Sequence, residues 1–217
     1  MVSRIRTSVL LFLLVFSAHL STAQETLTIK YFGLTIHPFG DPTADLQPNK
    51  LDKDAHFVAN IGLFVGYENF IYEDFFSIKL IQGFVSDCSN GFASVTHLGP
   101  RIALLRKEKH RLYFGIGPTL LVRDSWNRFG DAYESSGYFN ETYSPRLGEL
   151  QWKLIPYAFE FEYDYAFTPE NQLSVSLTPG VPAMIFSIGW KHWFHLREYD
   201  DLKLFKPKTG KKSKKRV

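Results

Sequence analysis

The chain has 217 residues, of which 45% are hydrophobic, 16% aromatic and 22% charged, with one cysteine. Aromatic side chains at this density exclude an intrinsically disordered chain. A single cysteine excludes an internal disulfide framework and a cysteine-based zinc cluster. A mean hydropathy of −0.14 excludes a polytopic helical membrane protein, but it is compatible with a membrane β-barrel, in which only alternate residues face lipid.

The net charge of +3 is distributed unevenly along the chain. Residues 197–217 carry nine Lys and Arg against three acidic residues, whereas residues 24–196 carry 14 basic and 19 acidic residues. The basic character therefore belongs to a C-terminal tail, and the body of the chain gives no indication of nucleic-acid binding.

The N-terminus has the three-part pattern of a secretory signal peptide. Arg4 and Arg6 precede an apolar run at 9–16, and small residues at 21–23 supply a cleavage site before Gln24. The apolar run is too short to span a bilayer. We therefore predict a signal peptide at 1–23, a folded body at 24–196 and a basic periplasmic tail, disordered by its composition, at 197–217.

The body repeats segments in which apolar residues alternate with polar, charged or small ones, as in β-strands with two different faces. One face of each segment is apolar throughout, and the other combines glycine with charge. This pattern predicts an all-β fold, an eight-stranded antiparallel transmembrane β-barrel in the bacterial outer membrane. A secreted soluble barrel or sandwich is the alternative. The eight predicted strands are 26–36, 56–67, 75–85, 97–105, 110–123, 155–165, 173–177 and 184–190.

The lengths of the connections predict the orientation of the barrel. The short connections 68–74, 106–110 and 168–171 are typical of periplasmic turns, and the long ones, 37–53 and 124–148, of cell-surface loops. The predicted interior is narrow and charged, which argues against a general porin. We expect the inward charges to form a stabilising network; they are Lys79, Arg101, Glu160, Glu162 and Lys191.

Two groups of polar residues fall at the predicted outer rim. The fifth strand ends in Asp124-Ser125-Trp126-Asn127, flanked by Arg123 and Arg128, and the first strand ends at His37. This combination resembles the lipid A palmitoyltransferase (PagP) family of small outer-membrane barrels. The resemblance covers about 40 residues and implies an acyltransferase that uses phospholipid as donor and lipid A as acceptor. It also implies a catalytic set in which His37 is the base, Ser125 the nucleophile or the hydroxyl that positions the acyl group, and Asp124 its partner.

Each of these residues also has a structural interpretation. Asp124 and Ser125 are residue types that open turns, Trp126 is typical of an interfacial aromatic belt, and His37 ends a strand before Pro38. The alternative function is accordingly a non-enzymatic barrel. Such a barrel would bind an external ligand through loops 37–53 and 124–148, or a periplasmic or membrane protein through its basic tail.

Other features of the sequence are less specific. Pro156 and Pro182 near the predicted outer rim indicate either gaps that admit a lipid chain or bulges in the strands. Cys88 lies on a predicted surface turn without a base in view, and we assign it no role. No motif indicates a cofactor, and the spacing of His192 and His195 argues against a metal site.

Overall fold

The computed structural model describes residues 24–129, 146–147, 150–179 and 183–194. The predicted signal peptide, the basic tail and most of the loop 124–148 lie outside these residues. Within them, no helix is long and apolar enough to cross a bilayer. Short 3₁₀ helices occur at Ala44–Leu46 and Trp126–Phe129. The strands are β1 (Gln24–Ile36), β2 (Phe57–Tyr72), β3 (Phe76–Ser86), β4 (Phe92–Lys107), β5 (His110–Asp124), β6 (Arg146–Leu147), β7 (Leu150–Ala166), β8 (Asn171–Pro179) and β9 (Met184–Trp193).

Eight of these strands form one closed antiparallel ring. Consecutive strands pair from β1 to β5, β5 pairs with β7, and β7, β8 and β9 follow in order until β9 pairs with β1. The two-residue β6 pairs only with the start of β7. The predicted eight-stranded barrel is confirmed. Its strands extend beyond the predicted limits, because β2 continues to Tyr72 and β7 already begins at Leu150.

The two ends of the barrel differ in the length of their connections. One end, here called the turn end, carries the connections 73–75, 108–109 and 167–170 together with Gln24 and Phe194. The opposite end, here called the loop end, carries the connections 37–56, 87–91, 125–149 and 180–183.

The side chains of the ring are arranged inside out relative to a soluble protein. On β2, Ile61 is 72% exposed and Leu63 and Val65 also face outward, whereas Glu68 is fully buried. The same alternation continues on the other strands, with charged residues such as Arg101 inside. An apolar outer surface around a polar interior is the arrangement of a transmembrane barrel, and it rejects the soluble alternative.

The interior contains three layers. An apolar cluster lies toward the loop end, a layer of charged residues occupies the middle, and an aromatic cluster closes the turn end. The apolar cluster consists of Phe64, Ile81, Val85, Ala93 and Val95. The aromatic cluster consists of Phe70, Ala103, Tyr113 and Trp193.

Among the described residues, the pairing of β7 with its two neighbours is incomplete near Pro156. The register between β5 and β7 shifts between Gly117 and Thr119, where Pro118 of β5 lies opposite two residues of β7, Pro156 and Tyr157, so the predicted bulge is present at Pro156. On its other side β7 pairs with β8 only from Phe161 onward. Among the described residues, 152–160 of β7 therefore have a strand neighbour on one side alone. Pro182 lies outside the described residues.

Candidate functional site at the loop end

His37 is held at the loop end by the turn that follows β1. Its backbone N–H donates to the carbonyl of His56 at 2.8 Å, and its side chain is 4% exposed. The chain then reverses through Gly40, whose N–H donates to the carbonyl of His37 at 3.0 Å and whose φ of +72° favours glycine. This reversal returns Asp41 to the imidazole, so that Oδ2 of Asp41 lies 2.9 Å from Nδ1 of His37.

Asp41 is ionised in this turn. Burial would raise the pKa of its carboxyl, but the contacts with His37 and with the hydroxyl and backbone N–H of Thr43 outweigh burial and lower the pKa to about 2. The other ring nitrogen of His37, Nε2, is directed away from Asp41.

Cys88 lies on that other side of the imidazole. Its Sγ is 3.8 Å from Nε2 of His37, and it comes from the connection between β3 and β4. That connection is fixed by Asp87, whose Oδ1 accepts the backbone N–H groups of Ser89 and Gly91 at 2.9 and 2.8 Å. Burial raises the pKa of the Cys88 thiol to about 11, so the sulfur carries its proton at neutral pH.

Cys88, His37 and Asp41 form a spatial chain of a nucleophile, a base and a carboxylate. The thiol faces Nε2 and the carboxylate faces Nδ1, which is the order of contacts found in acyl-transfer triads. A histidine in this position can take a proton from the nucleophile and pass it to a leaving group. The cluster of Cys88, His37 and Asp41 is therefore suited to nucleophilic chemistry at the loop end.

Trp126 joins the segment after β5 to this cluster. Its ring packs against Leu46, Cys88 and Leu121, and its Nε1 donates to Oδ2 of Asp87 at 2.5 Å. It is 4% exposed, so it lies beneath the loops rather than in an interfacial belt. The segment after β5 thus folds across the barrel mouth to the connection that carries Cys88.

The predicted catalytic residues fall at this end of the barrel with different neighbours. Oδ2 of Asp124 accepts the backbone N–H of Phe92 at 2.7 Å, and the carboxylate beside His37 is that of Asp41. Ser125 follows β5 directly and precedes Trp126. The catalytic roles of Asp124 and Ser125 stay predictions.

Below the loop-end cluster the barrel interior combines the apolar cluster with buried polar side chains, among them Asn60, Thr119 and Gln151. Leu121 contacts both Trp126 and the apolar cluster, so an apolar path leads inward from the thiol. Beneath it lies a cavity of about 30 Å³ lined by β1 to β4 and β7 to β9, with Phe64 and Ile185 among its apolar residues and Lys30, Lys79 and Glu160 among its charged ones. This volume accommodates one or two water-sized groups.

The middle layer is a network of buried ion pairs. Lys79 lies 3.0 Å from Glu160, Lys191 lies 2.6 Å from Asp164, and each member of the network is at most 4% exposed. Four cations face four carboxylates, so the network is neutral as a whole. It fills the barrel, as expected from the sequence. Its members are Lys30, Glu68, Lys79, Arg101, Glu160, Glu162, Asp164 and Lys191.

The aromatic cluster closes the interior at the turn end. Trp193 stacks on Phe70 with ring centroids 4.6 Å apart, and the guanidinium of Arg101 lies 4.8 Å from the ring centre of Tyr113. Trp193 is 2% exposed, so its ring faces the interior although it lies near the end of a strand. The period of the strand places its side chain inside, with that of Lys191.

Sequence reasoning identified His37 but missed both of its partners. Asp41 could have been found, since the sequence His37-Pro-Phe-Gly-Asp41 is a turn that returns the carboxylate toward the imidazole. Cys88 could not have been found from the sequence, because 51 residues separate it from His37 and the contact depends on how two loops meet. Lys30 and Glu68 were also missed, although both fall on the inward face of their strands.

No family model and no curated protein matches this sequence. Three solved barrels are similar in structure. Neisserial surface protein A is 7% identical (TM-score 0.48, 79% of this chain, 97% of that one). Ail of Yersinia pestis, in complex with the heparin analogue sucrose octasulfate, is 11% identical (0.45, 79% and 99%). The N-terminal β-barrel domain of Pseudomonas aeruginosa OprF is 13% identical (0.45, 79% and 99%).

Proposed function

We propose that this chain is a bacterial outer-membrane enzyme that transfers acyl chains between lipids of the outer leaflet. The donor would be a phospholipid and the acceptor lipid A, as the resemblance to the lipid A palmitoyltransferase family implies. One observation supports the proposal most strongly. His37 is buried at the loop end between the carboxylate of Asp41 and the thiol of Cys88, which is the proton-transfer machinery that acyl transfer requires.

The barrel interior supports a lipid substrate rather than a solute. The ion-pair network and the aromatic cluster fill its middle and its turn end, which leaves no pore for a porin. Toward the loop end an apolar cluster adjoins the His37 cluster through Leu121 and Trp126. An acyl chain is the kind of ligand that such a cluster binds.

The gap along β7 offers a lateral route for that chain. The cavity of about 30 Å³ is too small for an acyl chain, so binding requires the wall to separate. The segment 152–160, which contains Pro156, lacks a described neighbour on its β8 side, and proline has no backbone N–H to donate there. Separation at this point breaks fewer backbone hydrogen bonds than separation elsewhere in the ring.

The test is mass spectrometry of lipid A from cells that express the wild type, His37→Gln or His56→Gln. His56 is the matched control, because its Nδ1 lies 3.0 Å from Asp52 in the same loop, yet its side chain is 43% exposed. We expect an increment of one acyl chain with the wild type and with His56→Gln, and its loss with His37→Gln. Identical spectra with and without folded wild-type protein would refute the proposal.

A second function is favoured by the outer surface of the loop 37–56. Phe39 is 98% exposed and Leu51 is 65% exposed at the loop end, which offers apolar contacts to an external ligand. In this case the barrel is a non-enzymatic display scaffold, as the alternative interpretation of the sequence predicts. Unchanged lipid A would favour this function. The predicted partner of the basic tail, a periplasmic or membrane protein, concerns residues outside those described.

A further inference from the structure

We infer that Cys88 is the nucleophile of the loop-end site and carries the acyl group as a thioester during transfer. This inference rests on the proposed function and replaces the predicted nucleophile, Ser125. It assigns a role to the single cysteine of the chain.

The position of the sulfur relative to the imidazole supports this role. The distance of 3.8 Å between Sγ and Nε2 is in the range of hydrogen bonds to sulfur, and Asp41 contacts the opposite ring nitrogen. His37 is buried and Cys88 is half-buried, so both are sheltered from bulk water. The contact joins two separate loops, each fixed by its own turn, and therefore does not follow from a shared local motif.

The surroundings of the thiol add an independent observation. Trp126 packs directly on Cys88, and Leu121 links Trp126 to the apolar cluster inside the barrel. The amide Nδ2 of Asn60 donates to the carbonyl of Ser86 at 3.0 Å and lies 4.0 Å from Sγ. The sulfur thus sits where a polar rim meets an apolar interior, as the carbonyl of a bound acyl ester would require.

The chemistry proceeds in two balanced steps. In the first, Sγ of Cys88 attacks the carbonyl carbon of the phospholipid ester, and the thiol proton moves to Nε2 of His37. The ester C–O bond breaks, the departing lysophospholipid oxygen takes that proton, and the acyl group remains on sulfur. In the second, an acceptor hydroxyl attacks the thioester carbonyl and gives its proton to His37. The C–S bond then breaks, and the thiolate recovers the proton.

The hydroxyl of Ser89, in the same loop as Cys88, serves as a matched control. Ser89 lies next to Cys88 in sequence, but its Oγ is 2.8 Å from Oδ1 of Asp87. The variant Ser89→Ala therefore removes a nearby hydroxyl without removing a partner of His37. Cys88→Ala removes the thiol, and Ser125→Ala removes the nucleophile that the sequence predicts.

The experiment uses the full-length protein in phosphatidylethanolamine vesicles without lipid A. Lysophospholipid release is followed by lipid mass spectrometry, and the protein is analysed by intact mass before and after neutral hydroxylamine, which cleaves thioesters. We expect one acyl adduct on the wild type and on Ser89→Ala, removed by hydroxylamine and mapped to Cys88. Cys88→Ala should show no adduct and roughly 100-fold or greater loss of release.

The outcomes separate this inference from the proposed function. Wild-type protein that releases lysophospholipid while Cys88→Ala does so at the same rate overturns the inference and leaves the proposed function standing. An adduct on Ser125, with activity lost in Ser125→Ala, overturns it in the same way. No release by folded wild-type protein refutes the proposed function itself. Folding of each variant is checked by its heat-dependent mobility in gel electrophoresis.

Discussion

The two halves of the barrel interior are built from different side chains, and they differ in how readily they could open to admit a ligand. The turn-end half is filled by ion pairs and stacked rings, in which Lys191 contacts three carboxylates and Trp193 stacks on Phe70. The loop-end half contains an apolar cluster, a small cavity and a stretch of β7, 152–160, that among the described residues has a strand neighbour on one side alone. One half fixes the shape of the barrel, and the other has the features of a binding site.

The difference shows how a narrow barrel can combine stability with function. Every charge in the middle layer lies within a few ångströms of an opposite charge, so removal of one member leaves a net charge buried in the network. At the loop end, the contacts of the His37 cluster come from loops, which can move while the ring below stays closed. The predictions below test this division, beginning with the largest expected effect.

The first prediction concerns the ion-pair network. Lys191→Met removes the cation that lies 2.6 Å from Asp164 and one of the buried cations paired with Glu162 and Glu68, and we expect a loss of about 3–5 kcal/mol in the free energy of unfolding. Urea unfolding in lipid vesicles measures this change. The double variant Lys191→Met with Asp164→Leu restores the charge balance and should lose less than Lys191→Met alone. Equal losses in both variants would contradict the network as described.

The second prediction compares two glycines that face the interior. A Cβ on Gly189 would lie 2.0 Å from the backbone oxygen of Ile29, whereas on Gly66 it would meet Lys79 Cε at 3.1 Å beside the cavity. Gly189→Ala should therefore lose about 1–3 kcal/mol, and Gly66→Ala should change stability by less than about 1 kcal/mol. Urea unfolding in lipid vesicles measures the change in the free energy of unfolding for both variants. Similar losses in both would show that the interior beside Gly66 is as tightly packed as the interior at Gly189.

The third prediction concerns the reactivity of Cys88. Since burial raises the pKa of its thiol to about 11, the thiolate fraction at pH 8 is roughly 100-fold lower than that of an ordinary cysteine. Alkylation by iodoacetamide should be slow at pH 8 and should accelerate about tenfold per pH unit up to pH 10. The protein unfolded in detergent is the control. A rate that levels off near pH 9 would contradict the buried thiol.

The fourth prediction, with the smallest effect, concerns Asp41. Its carboxyl has a pKa of about 2 in the folded protein against an ordinary value of 3.8. Its stabilising effect on the turn is therefore complete above about pH 4 and is lost as the pH falls toward 2. Pepsin should cleave the loop 37–56 faster over this interval. Asp41→Asn should be cleaved readily already at pH 4, and Asp45→Asn, whose side chain is fully exposed, should behave like the wild type.

The fold could be predicted from the sequence because residues that face lipid are apolar, whereas the alternate residues that face the interior are small, polar or charged. In β5, Leu112, Phe114 and Ile116 alternate with Tyr113 and glycines, and this contrast identifies the strand without knowledge of its neighbours. The ends of strands were less predictable. The start of β7 lies beyond the bulge at Pro156, where the alternation changes phase and the pattern no longer applies.

The site was only partly predictable, because its members meet through loops. His37 could be predicted as a site residue because it is a histidine at the end of a strand. Its contact with Cys88 could not, because nothing in the sequence connects two residues that are 51 positions apart. Sequence similarity instead directed attention to Asp124, whose carboxylate binds the backbone of Phe92. A contact between two loops depends on the shape of both, which alternation along strands does not encode.

The account predicts that a lipid acyl chain enters the loop-end half of the interior and not the turn-end half. Photo-cross-linking with a phosphatidylethanolamine whose acyl chain carries a diazirine tests this directly, with peptides mapped by mass spectrometry. Adducts on the inward-facing Val95 and Ile185, and none on Tyr113 or Trp193, are the expected result. Adducts confined to outward-facing residues such as Leu63 and Tyr157 would contradict the central claim.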